Sequence, residues 1–436
     1  MTIGGRLMQL VGGMTRSNAR EDVNRRHRPD YRIALYMGLL MLIGLIIIYS
    51  IGPQRANVLN NAYGSNYSDT YFFVKQAVSL LMALAAFGVA AVVPYSVFTK
   101  NGGKLLIAGL AACAFLALAG WAHLGIAQAS LGAVRWFNLG PLGSFQPAEV
   151  LKFGVLVFIA VFLGIKTQQG KANDVHETLI PVGVVLAISM LFIIVIQKDL
   201  GTGVALISII GSMLFVSGIN KKNGLIILIG IAVAGVILIA SASHRIDRIV
   251  TFLQGDSTTS SNTNSYQIDH AKMAIGTGGL TGVGIGNSVQ ATGYLPEAIN
   301  DSVFAIMGEI FGFVGLMAIL ALLTALMYRM LIVMDHLGDM RLKLIVAGTF
   351  GWFGSHVILN IASMIGIFPL TGITLPLLSF GGTSMIFIAA ALGLVFQLSR
   401  YTVHSSRLKE AQYEDSSSRR GVGRSRHASR SRFERH

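Results

Sequence analysis

Residues 265–315 read SYQIDHAKMAIGTGGLTGVGIGNSVQATGYLPEAINDSVFAIMGEIFGFVG, beginning as polar, glycine-rich chain and ending inside a long apolar run. The change falls at Leu295-Pro296-Glu297-Ala298-Ile299-Asn300-Asp301. Proline disfavours helix in the residue before it, and Asn300-Asp301 offers capping side chains, so a helix is expected to begin here. The apolar residues that follow make that helix a membrane span. Asp301 is then placed where a large exterior loop meets the bilayer. A carboxylate there stays hydrated enough to ionise and still faces a molecule held in lipid.

Outward from this stretch, the chain reads as a polytopic helical membrane protein. Of 436 residues, 53% are hydrophobic and 12% charged, with mean hydropathy +0.64, which excludes a soluble globule. Apolar windows able to cross a hydrocarbon core of about 30 Å fall at 36–51, 72–93, 104–122, 148–163, 180–196, 203–218, 225–242, 301–335, 344–367 and 385–398. The expected fold class is all-α: about ten transmembrane helices within 33–400, with a large exterior loop, about 243–300, between helices seven and eight. Span eight exceeds a perpendicular crossing, so it is expected to tilt or project into the cytoplasm.

The formal net charge of +14 is concentrated in two tails: seven Arg in 1–32, and nine Arg with one Lys in 400–436. Placing both tails in the cytoplasm also puts Lys100, Lys166, Lys171, Lys221, Lys222, Arg341 and Lys343 in cytoplasmic connectors, as the positive-inside rule requires. Tails 1–32 and 401–436 read as basic cytoplasmic segments, the second disordered, facing anionic lipid. With so few aromatics they lack the stacking platforms of a nucleic-acid reader. The polar N-terminus does not read as a signal peptide, leaving the first span as the insertion signal. Cys113, the single cysteine, excludes an intrachain disulfide.

Few charged residues fall near the exterior mouth. Asp301 reads as either a helix cap or a reacting carboxylate. Glu149 and Lys152, at i,i+3, share a helix face and can pair; charges in a span mark a pathway or hold helices together. Glu309 lies eight residues beyond Asp301, about 12 Å deeper along a helix, and needs a partner, for which Lys152 is the candidate; it is read as support. Arg135, beside Trp136, offers a planar fork suited to phosphate oxygens, or an interfacial anchor. Arg245, Arg248 and Lys272 either add positive potential over the same mouth or solvate a surface. The glycines of 276–286 match no phosphate loop and suit tight backbone packing at the membrane surface. No spacing of His, Cys and carboxylates reads as a tight metal site, and His356 reads as a packing residue.

Taken together, these segments resemble the SEDS family (shape, elongation, division, sporulation) of polytopic cell-wall polymerases across about 33–400. The motifs are G-x-x-R-W at Gly132–Trp136, F-Q-P-[SA]-E-x-x-K at Phe145–Lys152, and Q-P-D-L-G-T as Gln197–Thr202. The long glycine-rich run to Y-L-P-E-A-x-x-D spans Tyr266–Asp301, followed by G-E-x-x-G-F-x-G at Gly308–Gly315, Asn360, and the last loop FPLTGITLPLLSFGGTS. Departures are Lys198 for the usual Pro, Ile299-Asn300 for His-Thr, Asp269-His270 for Gln-Ser, and Ala291 where a cation is common.

The resemblance implies a peptidoglycan glycosyltransferase that polymerises lipid II into β-1,4 glycan strands at the exterior face of the bacterial cytoplasmic membrane. Asp301 maps onto the family's essential carboxylate and becomes the expected catalytic base. Arg135, Glu149, Lys152, Lys272, Gln290, Glu297 and Ser379 are expected to contact substrate, with Glu309 and Asn360 as structural support. Lys198 or Lys272 would compensate for the cation absent at Ala291. Inversion from an α-linked pyrophosphate donor fits one direct displacement. Arg135 with loop cations, or a divalent Mg or Mn ion at the pyrophosphate, would screen the leaving group. Implied partners are lipid II, the nascent strand, a class B penicillin-binding protein transpeptidase and other divisome proteins. The polar N-tail resembles the division-type branch. The alternatives are an elongation-type polymerase, a lipid II flippase and a scaffolding membrane protein.

Overall fold

The computed structural model describes residues 28–130, 133–140, 143–227, 229–230 and 263–402. The two basic tails, Gly132, Arg245, Arg248, most of the Ser/Thr/Asn tract 257–265 and the latter part of the span expected at 225–242 lie outside these residues.

Long apolar runs fold as helices in which local chemistry sets the ends. Helix α1 (Tyr31–Tyr63) starts where the Asp30 carboxylate accepts from the Arg32 N–H, and stops at Gly64 with φ 63°. Next come α2 (Tyr71–Val92), the short α3 (Tyr95–Lys100) and α4 (Gly102–Trp121). Helix α5 (Pro147–Gln168) opens on proline at its first position, where no N–H is needed. Helix α6 (Val175–Ile196) is α-helical over Ile180–Met190, between wider π turns. Helix α7 (Leu200–Val216) is capped by Asp199, whose carboxylate accepts from the Thr202 N–H and hydroxyl at 3.0 and 2.8 Å. Then follow α8 (Thr263–Gly278), α9 (Val303–His336), α10 (Met340–Met364) and α11 (Gly382–Leu398).

Among the described residues, eight of these helices are long and apolar enough to cross a membrane, and α7 is a shorter apolar helix. The chain is a multi-pass helical membrane protein, as the apolar windows predict. Helices α5, α10 and α11 are buried along most of their length, while α1, α2, α4, α6 and α9 turn an apolar face outward, as lipid-facing helices do. Helix α10 packs against α5, α7 and α9; α4 packs on α5, and α2 on α11. One end of the bundle gathers the first and last described residues: Asp30 pairs with Arg329, its N–H donates to Ser399 Oγ, and Leu337 bridges Thr402. The opposite end is the mouth.

Two features of the mouth depart from the sequence reading. The glycine-rich loop before α5 is a three-stranded antiparallel sheet, β1 (Ala127–Ser130), β2 (Ala133–Asn138) and β3 (Ser144–Phe145), with Phe137 opposite both Ala127 and Phe145. The end of the polar loop is helical: α8 buries Ile268, Ala271 and Ala274, spaced three apart, against α9.

Helix α9 accounts for its own excess length by breaking. Gly312 has φ 66° and ψ −168°, outside helical space. The break frees the carbonyls of Glu309 and Ile310, which accept from Val283 N (2.9 Å) and Gly284 N (3.1 Å). The N–H groups of Phe313 and Val314 donate in turn to the carbonyls of Gly279 (2.8 Å) and Leu280 (3.1 Å). No backbone group can stay unpaired in lipid, so a broken helix at this depth needs such a partner loop. Glycine is required on both sides: a Cβ at Gly282 would stand 2.1 Å from the Ile310 oxygen, and one at Gly312 2.3 Å from the Gly282 nitrogen.

Candidate active site

Asp301 ends an irregular turn that feeds α9. Glu297, at φ 51°, presents its carbonyl to the N–H groups of Asn300 (2.9 Å) and Ser302 (3.2 Å). The Ser302 hydroxyl donates to the Pro296 carbonyl (2.9 Å) and accepts from Gln267 Nε2 of α8 (2.9 Å). The helix begins at Val303 with Ser302 in the capping position, so the half-buried Asp301 lies just outside it and is not its cap. Asn360 of α10 fixes the turn from beneath: its Nδ2 donates to the carbonyls of Asp301 and Ile373, both at 2.7 Å. One amide thus ties the turn, α10 and the last loop together.

The last loop closes the same turn. Phe380 N–H donates to the Ile299 carbonyl at 2.8 Å. Ser379 is buried; its hydroxyl accepts from Leu375 N–H at 2.8 Å and its carbonyl from Gln76 Nε2 at 3.3 Å. That hydroxyl is engaged inside the loop. Gln76, buried in α2, went unnoticed in the sequence reading, although a lone glutamine in an apolar span is itself a signal.

Glu309 requires a correction. It does not pair with Lys152; its carboxylate accepts from Ser288 Oγ (2.5 Å), Val289 N (2.9 Å) and Gln290 N (3.3 Å). A buried carboxylate is stabilised by several converging donors as effectively as by a cation. Sequence spacing brings Lys152 to mind because it lists charges and omits backbone N–H groups. The Glu309 contacts hold the 288–290 segment at the mouth.

Lys152 pairs with Glu149 across one turn of α5 at 2.8 Å, both fully buried, and its ammonium lies 4.8 Å from the Trp352 ring centroid. His356 sits against Lys152 and the Thr374 backbone, one turn before Asn360 on α10. Glu149 Oε2, Trp352 Nε1 and Asn360 Oδ1 are buried without a hydrogen-bond partner. Buried polar atoms of this kind call for water or a polar ligand group. This cluster shares α10 and the 373–374 segment with the Asp301 turn, so the two form one polar region.

Arg135, on β2, donates from Nε to the Gln197 carbonyl (3.1 Å) and from Nη2 to the Lys198 carbonyl (2.7 Å). Lys198 has φ 53°, a backbone conformation that a proline ring could not adopt. Gln146, before α5, donates to the Asp199 cap at 3.2 Å, joining two of the sequence motifs directly. Glu297 lies 3.6 Å from Arg55 and accepts from Asn300 Nδ2, so its carboxylate braces the turn against α1. Gln290 Oε1 meets His270 Nδ1 at 2.8 Å. Lys272 is exposed on α8 with its stem beside Gly366. Among the described residues, no three His, Cys, Asp or Glu side chains converge as metal ligands.

These features define a multi-pass membrane protein with a half-buried carboxylate at one mouth, clamped above a buried polar cluster. The chain belongs to the FtsW/RodA/SpoVE family of cell cycle proteins, whose family model matches residues 31–404. It is 31% identical to a probable peptidoglycan glycosyltransferase FtsW of Saccharophagus degradans, over 85% of this chain and 92% of that one. It is also 31% identical to stage V sporulation protein E of Bacillus subtilis, over 87% and 99%. The fold matches a chain of a peptidoglycan synthase complex coordinating polymerization and crosslinking (TM-score 0.66, 23% identity, 85% of this chain and 98% of that one). It also matches the rod shape determining protein RodA of Thermus thermophilus (TM-score 0.60, 21% identity, 86% and 98%).

Proposed function

We propose that this chain is a peptidoglycan glycosyltransferase that polymerises lipid II into β-1,4 glycan strands, in septal synthesis during cell division. The single observation that carries the chemistry is the Asp301 turn, pinned by Asn360 and Ser302 at the mouth of the bundle. The relatives named for this activity supply the reaction class. Asp301 acts as general base: it takes the proton of the acceptor 4-hydroxyl as that oxygen attacks the anomeric carbon. The bond from that carbon to the pyrophosphate oxygen breaks on the opposite face, and the lipid pyrophosphate leaves with its electron pair. The configuration inverts in one displacement.

Arg135 contributes positive potential to the region the leaving group crosses, while the charge of Lys152 is offset by its ion pair with Glu149. A Mg or Mn ion accompanying the pyrophosphate would supply further screening of its charge; among the described residues no three His, Cys, Asp or Glu side chains converge to hold one, and no step is assigned to it. The mouth faces the exterior of the cytoplasmic membrane and both termini face the cytoplasm, a reading supported by the Lys and Arg distribution. Glu149, Lys152 and Glu309 all stand within the first turns of helices that start at the mouth, which favours a polymerase over a flippase needing polar groups through the full depth. A class B penicillin-binding protein and other divisome proteins are the partners this role calls for.

The test is Asp301→Asn, assayed as glycan polymer on gels from reconstituted vesicles supplied with labelled lipid II. Asparagine is isosteric and preserves the turn, so product should vanish while melting behaviour stays near wild type. Near-normal polymer from a preparation free of other polymerases would sink the general-base assignment.

A further inference from the structure

Three rings form a ladder on the outer side of α8 that nothing above employs. Tyr266 and His270 lie one helical turn apart, with ring centroids at 4.1 Å and planes at 39°. Tyr294, from the segment leading into the Asp301 turn, lies nearly parallel to His270, 9° apart at 6.2 Å. Gln290 Oε1 meets His270 Nδ1 at 2.8 Å and fixes that ring edge-on. Gln290 is itself held by Glu309, which accepts from its N–H. Despite their size, Tyr266 is 43% and Tyr294 53% exposed.

We propose that Tyr266, His270 and Tyr294 form a saccharide-binding platform that holds the emerging β-1,4 glycan strand beside Asp301. The proposal rests on the polymerase reading above and names where its product runs. Position supports it: Gln267, the neighbour of Tyr266, is hydrogen-bonded to Ser302, the neighbour of Asp301. Tyr294 lies in the segment that enters the same turn, so both ends of the ladder adjoin the turn that carries the base.

Ring chemistry supports it as well. Pyranose units present C–H faces that pack on the negative faces of aromatic rings, and Tyr hydroxyls at the rim match equatorial sugar hydroxyls. A pyrophosphate would instead seek cations. Lys272, the nearest cation on this helix, projects from a different side: at about 100° per residue it is about 160° round the helix from His270 and about 120° from Tyr266. The platform is thus matched to uncharged sugar, leaving the phosphate to the buried side of the turn.

The experiment titrates a soluble β-1,4-linked N-acetylglucosamine hexamer against the purified full chain in nanodiscs, read by saturation-transfer NMR. Strand length from labelled lipid II is measured on gels in parallel. Tyr266→Leu and Tyr294→Leu should each weaken hexamer binding about five- to tenfold, the range for losing one aromatic face. They should shorten strands more than they slow initial lipid II consumption. Tyr266→Phe and Tyr294→Phe keep the rings and should retain binding, which keeps the test decisive if a Leu variant fails to fold. Unchanged affinity and strand length in folded Leu variants would overturn the platform. So would unchanged hexamer binding together with altered quenching by spin-labelled lipid, which would assign the rings to the membrane interface. Asp301→Asn separates the two readings: it should still bind hexamer while making no polymer. If the wild type binds hexamer yet makes no polymer, the polymerase reading fails and the platform stands.

Discussion

Replacing Glu309 by Gln tests the architecture of the mouth most directly. The carboxylate is fully buried and accepts one hydroxyl and two backbone N–H groups. Glutamine keeps one acceptor oxygen but loses the charge, and its NH2 would point at a donor. Hydrogen bonds to a charged group contribute about 1.5–3 kcal/mol each, and a buried donor left unpaired costs about 1–3 kcal/mol. A net loss of about 2–4 kcal/mol is expected. The assay is denaturant unfolding in detergent micelles for Glu309→Gln, Ser288→Ala and the double variant, with Lys152→Met as the distant control. Ser288 and Glu309 share a bond, so the cycle should give a coupling of about 1–2 kcal/mol; Glu309 and Lys152 share none and should add within about 0.5 kcal/mol. Additivity with Ser288, or coupling above about 1 kcal/mol with Lys152, would refute the donor-nest assignment.

Lys152→Met should destabilise by about 3–5 kcal/mol, because it strands the buried Glu149 carboxylate; Glu149→Gln in the same chain should recover part of that loss in the same unfolding assay. Gly312→Ala should cost more than about 3 kcal/mol or prevent folding, since a Cβ meets the Gly282 nitrogen and φ is 66°; Gly211→Ala, with open space around it, should fold normally on size-exclusion chromatography. Arg135→Lys keeps the charge but not the planar fork, which besides gripping two carbonyls is read as screening the leaving pyrophosphate, so polymerisation should slow about ten- to a hundred-fold with melting unchanged. A rate that falls only in step with melting temperature would make Arg135 a loop anchor alone.

The membrane class and most of the described helix ends were legible in the sequence because each rests on local chemistry, although α1 runs on to Tyr63, well past the window at 36–51. Apolar runs must be helical in lipid, and Pro296 with the polar residues around it marks where α9 begins. The i,i+3 spacing of Glu149 and Lys152 likewise fixes their contact from helix geometry alone. Other features were decided only by chain segments far apart in sequence. The break at Gly312 is stable because loop 279–284 returns to satisfy it, and no window containing Gly312 alone shows that loop. Glu309 finds its donors in backbone N–H groups, which a reading of side-chain charges omits. Asn360 reaches Asp301 across 59 positions, and Arg135 reaches Gln197 across 62. Sequence determines which groups must be satisfied in a medium without water; the tertiary structure decides which distant groups satisfy them.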